Sequence, residues 1–372
     1  MSGNFIVEAD YPGGNMILDK IDGNEVFLHQ DMRDSDGVWF YWSFRVRNGG
    51  GKKLHFRFTH SRCLTAKGAA VTVDNHQSYH YSSEIDNDYL GFSYEIPVDC
   101  NEAYFYQAIP YRQQEWERFV ASLGDCSYAS SKILCKSRRG RDVEQLILGN
   151  SKGRFNMVLT ARHHCCEALA NYVLEGMLER FLRDDEIGKF MRENVFMTVI
   201  PFMDKDGCVD GDQGKNRLPH DHNRDYGAEL YPEVKYLKKF VADNMSGKVL
   251  LSLDFHCPWL YDGACESIYL VGQGVPRISA EQIKLARLIE ECNRGALPFY
   301  ASEFYPYGYG WNQTEVGLSC AGYFSSLPQT QLATTLEFTY ASCHGLSTSV
   351  FGARIFGEYY GDAVYKYLRT LC

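Results

Sequence analysis

The chain has 372 residues, 45% apolar and 23% charged, which suits about two folded domains and excludes a mainly disordered protein. Its net charge of −9 and the lack of any Lys/Arg-rich run argue against a nucleic-acid partner. No stretch approaches the roughly 18 apolar residues that span a membrane, no secretory signal opens the chain, and thirteen cysteines without framework spacing suit a reducing cytoplasm.

From Phe5 to about Ala108 the chain consists of short runs (residues 38–47, 53–59 and 90–96) that alternate apolar and polar side chains. Turn signals such as Asp22-Gly and Asn48-Gly-Gly-Gly separate them. That pattern predicts an antiparallel β-sandwich over residues 1–107. Past Ile109-Pro-Tyr111 the period changes. Residues 113–123 have helical spacing, and strands (155–160, 195–201, 249–255, 268–271, 332–338) then alternate with helices (168–182, 232–243, 280–294, 350–371). This predicts an α/β domain over residues 108–372, with a mostly parallel or mixed central sheet and helices on both faces. Active sites in such sheets lie beyond the carboxyl ends of the strands.

The chemistry-bearing residues fall at those ends. Ala161-Arg-His-His-Cys-Cys-Glu167 follows one strand and Leu253-Asp-Phe-His256 ends another. Two imidazoles and a carboxylate are a zinc donor set that leaves a coordination position for water, the arrangement of a catalytic site. A glutamate, Glu337, sits in the apolar run Ala333-Thr-Thr-Leu-Glu-Phe338, where burial without a partner is costly.

In this order the motifs resemble those of the M14 zinc metallocarboxypeptidases, in the cytosolic carboxypeptidase-like branch. Ala161–Glu167 is similar to the branch's A-R-x-H-P-G-E, Ser137-Arg-Arg-Gly-Arg-Asp-Val143 to S-x-x-G-R-x-V, and Asp221-His-Asn-Arg224 to D-x-N-R. The segments 109–120 and 195–207, Leu253–His256 and Thr335-Leu-Glu337 match further blocks, and the branch also carries an N-terminal β-sandwich. The resemblance implies one zinc ion on His164, Glu167 and His256, with Asp221 orienting the imidazole of His164. It implies Glu337 as the general base for a metal-activated water, and Asn223 and Arg224 as the clamp for a substrate carboxylate. Arg217, in Gly214-Lys-Asn-Arg-Leu218, is its candidate for stabilising the oxyanion. The implied substrate is the C-terminus of a peptide or protein.

Some readings stay open on the sequence alone. Cys165 and Cys166 stand where the family has Pro-Gly, either as small residues packing a turn or as thiols able to reach the metal. His220-Asp-His222 could pair imidazoles, and Arg162 is expected to pair with a carboxylate. Between residues 295 and 336 there is no Lys or Arg but many aromatics, among them Tyr305, Tyr307, Tyr309, Trp311 and Tyr323. This predicts an aromatic or large apolar terminal residue; Glu303 or Glu315 would instead select a basic one. A metal-dependent amidase or deacylase on a cell-wall peptide or acyl amino acid, and a binding protein with a vestigial metal site, are the alternatives. Nothing in the sequence sets an oligomeric state.

Overall fold

In a computed structural model, which describes residues 5–261, 263–313 and 318–372, the N-terminal strands form two five-stranded sheets. One contains Ile6–Glu8, Ser43–Arg47, Ala70–Thr72, His80–Tyr81 and Glu102–Tyr106, and the other Ile17–Asp22, Glu25–His29, Lys53–Phe58, Glu84–Ile85 and Gly91–Glu95. Alternation puts Phe44, Phe56, Phe92 and Phe105 into one buried aromatic stack between them. The pairings are antiparallel except for Glu25–His29 with Lys53–Phe58, which run parallel. The expected strand over residues 38–47 is shorter than predicted. Only Ser43–Arg47 pairs, because Trp39 and Phe40 turn away to pack edge-on against Trp259.

Beyond it, helix α1 (Gln113–Ser122) leads into a seven-stranded mixed sheet. Its strands are β1 (Ala129–Lys136), β2 (Asp142–Gly149), β3 (Phe155–Ala161), β4 (Val195–Ile200), β5 (Val249–His256), β6 (Tyr269–Val271) and β7 (Thr330–Glu337), ordered β1-β2-β4-β3-β5-β7-β6. The pairs β4/β3, β3/β5 and β5/β7 are parallel, and the flanking pairs are antiparallel. The central strands are buried along almost their whole length, as near-continuous apolar runs require when helices cover both faces.

The helices are α2 (Ala170–Leu182), α3 (Glu186–Asn194), α4 (Lys205–Asp210), α5 (Pro232–Asn244), α6 (Pro276–Cys292), α7 (Cys320–Ser326) and α8 (Val350–Arg369). Helix α8 starts where the Ser349 side chain accepts from Gly352 N. It lies against α2 at backbone contact, since a Cβ at Gly357 would sit 2.0 Å from the Val173 carbonyl oxygen. None of the described helices is long and apolar enough to cross a membrane.

Candidate metal centre

Parallel pairing brings the carboxyl ends of β3, β5 and β7 side by side. His256 and Glu337, the last residues of β5 and β7, are register partners. After Ala161 the chain turns through Arg162, whose φ of +63° is a left-handed conformation, and delivers His164 and Glu167 to the same edge before α2 begins.

There three side chains converge. His164 Nδ1 lies 2.9 Å from one oxygen of Glu167 and His256 Nδ1 lies 2.7 Å from the other. Their ligand atoms all fall within 4.8 Å of one another. The far nitrogens meet carboxylates too: His164 Nε2 is 3.2 Å from Asp221, and His256 Nε2 is 2.8 Å from Asp254. Without an ion, both rings would need to be imidazolium, with centroids only 5.0 Å apart. With a divalent cation, two neutral rings donate Nε2–H outward and turn their Nδ1 lone pairs inward. The donor set therefore fits zinc, with Asp221 and Asp254 fixing the tautomers.

His163 has no such freedom. Its Nδ1 is 2.9 Å from Asp254 and its Nε2 2.9 Å from the Tyr226 hydroxyl, so both nitrogens are engaged inside the core. Burial would raise the Glu167 carboxyl, but Lys215 and the two imidazoles outweigh it and hold the group well below the usual carboxylate range. Burial, followed by the charge of Glu167, pushes Glu337 up to about 7, and Glu337 Oε2 has no hydrogen-bond partner.

Asn223 and Arg224 line the same cleft as His164, His256 and Glu337. The Asn223 carbonyl accepts from Cys320 N at 3.0 Å, which fixes the amide, and Arg224 remains half-buried at the cleft wall. Arg217 does not reach this cleft. Its guanidinium is committed to Asp204 and Asp212, with Asp34 alongside, in a separate polar cavity. The cation beside the candidate ligands is Lys215, whose Nζ lies 2.5 Å from Glu167. Two features of the loop put it there. Gly214, at φ +77°, presses so close that a Cβ would meet Cys165 N at 2.5 Å. Asp34, from the N-terminal part of the chain, accepts from Gln213 N and Gly214 N.

The other open readings resolve locally. Cys165 Sγ donates to the Asp212 carbonyl, Cys166 Sγ lies 3.9 Å from the Tyr340 hydroxyl, and burial raises both thiols, Cys166 to about 12. Among the described residues neither belongs to a cluster that could hold a metal ion. His222 stacks on Tyr231 with centroids 3.6 Å apart and His220 lies against the Arg224 carbonyl, so the two do not share a site. Arg162 bonds backbone carbonyls rather than a carboxylate. Of the expected aromatics, Trp311 alone lines the cleft, because Tyr305 stacks behind it and Tyr309 packs on Tyr305. Glu303 is engaged by His344, and Glu315 lies outside the described residues.

No family model matches the chain. An uncharacterised protein of Zymomonas mobilis is 25% identical over 323 residues, which cover 84% of this chain and 80% of that protein. Cytosolic carboxypeptidase 2 of Danio rerio is 26% identical over 258 residues, 59% of this chain and 35% of that protein. The crystal structure of a metallo-carboxypeptidase from Burkholderia cenocepacia superposes over the full length of both chains, with a TM-score of 0.81 and 17% identity. In sequence the chain resembles cytosolic carboxypeptidases, and in fold it resembles bacterial metallo-carboxypeptidases. A Pseudomonas aeruginosa metallo-carboxypeptidase in complex with (2-guanidinoethylmercapto)succinic acid shares the fold, at a TM-score of 0.79 and 20% identity over 99% of this chain. Metallo-carboxypeptidases are peptide hydrolases. The chain spans about a third of the length of the zebrafish relative.

Proposed function

We propose that the chain is a zinc-dependent carboxypeptidase that removes an uncharged residue from the C-terminus of a peptide. One observation carries this reading: His164, Glu167 and His256 converge at the strand ends, with Glu337 on the adjoining strand and Asn223-Arg224 in the same cleft. A zinc ion held by those three side chains supplies Lewis acidity to the scissile carbonyl and to water. Glu337, unpartnered at Oε2 and poised near neutrality, takes the proton of the attacking water and returns it to the leaving amine. The Arg224 guanidinium pairs with the terminal carboxylate while the Asn223 amide, aligned by Cys320, donates to it. Lys215 gives the buried site the cationic charge that Arg217 cannot.

The cleft supports the choice of terminal residue. Among the described residues its lining holds, beyond Arg224, no Lys or Arg; Trp311 and Val271 offer apolar surface, and Gln273, Asn312 and Gln313 offer amides. Among those residues an acidic side chain has no second cation to meet, and Glu303 does not line the cleft to meet a basic one. The expected preference for a bulky apolar terminus thus widens to an uncharged one, with Trp311 as the aromatic face. The division at residue 107 into a sandwich and a catalytic domain, and a cytoplasmic location in keeping with thirteen free thiols, belong to the same reading. Blocked peptides ending in Phe, Gln, Glu, Lys or an amidated Phe test it on the zinc-loaded protein. Phe or Gln should be released fastest and the amide not at all; fastest release of Glu or Lys, or equal cleavage of the amide, overturns it.

A further inference from the structure

Behind the turn that carries His164 and Glu167, and away from the cleft, a second cavity of about 540 Å³ opens between the N-terminal sheets and the α/β unit. Three observations set it apart. First, among the described residues no Asp or Glu lines it. Arg112, Arg141 and Lys205 reach its wall, but each brings its own carboxylate: Glu115, Asp206 with Asp210, and Glu144 respectively. Second, Arg162 brings none. It is 5% exposed, and its recorded hydrogen bonds go to the carbonyls of Cys165 and Tyr111, which occupy three of its five N–H groups. No carboxylate pairs with it among the described residues; the groups around it are the thiols of Cys165, Cys166 and Cys208 and the phenol of Tyr41. Third, Gln107 lines the cavity at 1% exposure with neither its amide nitrogen nor its amide oxygen partnered.

A buried guanidinium without a counter-anion, and a buried amide without a partner, each cost stability. Tyr11, Tyr41, Tyr104 and Tyr106 supply aromatic surface around them. We propose that this cavity is a binding site for a small aromatic carboxylate, its charge answering Arg162, its ring lying among the tyrosines and Gln107 bonding its polar edge. A planar carboxylate matches the remaining N–H groups of a guanidinium fork better than a point anion does. Because Arg162 also holds the carbonyl of Cys165, between the two candidate metal ligands, occupancy braces the turn on which the metal centre is built. The site is independent of the proposed peptidase activity.

Calorimetric titration of the zinc-loaded protein with phenylacetate tests this, with phenylacetamide as the uncharged isostere. Phenylacetate should bind saturably below about 10 mM and phenylacetamide should not, since the charge-assisted bond carries much of the affinity. Arg162→Met should abolish binding, and Gln107→Met should weaken it about tenfold. Arg224→Met should leave it intact, which separates this cavity from the cleft. If Arg162→Met does not fold, Gln107→Met decides. Absence of saturable binding, equal binding of the amide, loss in Arg224→Met, or indifference to Gln107→Met would each overturn the proposal.

Discussion

Replacing Arg217 by Met separates a structural cation from a catalytic one. The Arg217 side chain is 8% exposed, and its partners Asp204, Asp212 and Asp34 are 0%, 2% and 7% exposed. Burial already pushes Asp212 up to about 7 with Arg217 in place. Removing the guanidinium leaves these carboxylates without their main counter-charge in a site that cannot hydrate them. Breaking a buried pair from one side typically costs about 3–5 kcal/mol, a large part of the roughly 5–15 kcal/mol that holds a domain folded. The sign with pH follows. In the variant Asp212, already raised, ionises further above its unfolded value, so the folded state retains a proton that the unfolded chain has released. The loss is therefore full at pH 7.5 and shrinks toward pH 5. Urea unfolding at both pH values, with an unchanged slope, measures it. Turnover per folded molecule should change far less than the 10²–10³-fold, or about 2.7–4 kcal/mol, that follows loss of an oxyanion donor. An unchanged midpoint with a turnover loss of that size would refute the argument and return Arg217 to the reaction.

Glu337→Gln should lower kcat by about 10²–10⁴-fold, while metal analysis finds the zinc content unchanged; loss of zinc would mean that Glu337 is part of the binding set. Stripping the metal with a chelator should abolish hydrolysis and lower Tm, and zinc added back at about 100 times its Kd should restore about 2.7 kcal/mol. A Tm indifferent to chelation would count against the three-ligand centre. Arg224→Met should raise KM for free C-termini and reduce kcat/KM about 10–100-fold, the worth of a charge-assisted bond; unchanged kinetics would remove it from the carboxylate clamp. Burial pushes Glu233 up to about 8 from 4.5. Its folded state thus keeps a proton that the unfolded chain releases above pH 4.5, and stability falls through that window by up to about 5 kcal/mol. Glu233→Gln should flatten that part of the fall, seen as a growing stability advantage of the variant between pH 5 and pH 8; parallel curves would show that Glu233 ionises normally.

Much of the α/β unit can be read from local pattern because its central strands obey one rule. A strand covered on both faces has to be apolar throughout, and the runs containing β3, β4, β5 and β7 stand out as such. Observed and expected ends differ by no more than two residues there. The edge hairpin was not legible. Strand β1 reads Ala-Ser-Ser-Lys-Ile-Leu-Cys-Lys and exposes most of its side chains, so neither a continuous apolar run nor a clean alternation marks it. Trp39 and Phe40 misled for the opposite reason. Their aromatic character fits a strand, but the surface they cover belongs to Trp259, more than 200 residues away in sequence and beyond the reach of any local pattern.

The candidate site divides in the same way. A histidine at a strand end and an acid three residues from another histidine are local features, while the choice of His164 over His163 came from the likeness to the family motif. Which of two cations in Gly214-Lys-Asn-Arg-Leu218 faces Glu167 is not local. The answer depends on Asp34, whose two oxygens accept the amides of Gln213 and Gly214 from about 180 residues away. That anchor sets the turn at Gly214, sends Lys215 toward Glu167, and leaves Arg217 facing Asp204 and Asp212. Trp39 and Phe40, each within about 6 Å of the Lys215 ammonium, wall the same side chain. The N-terminal part of the chain thus acts on the candidate metal centre at one remove: through Asp34 it chooses the charge that stands beside the carboxylate shared by the two imidazoles.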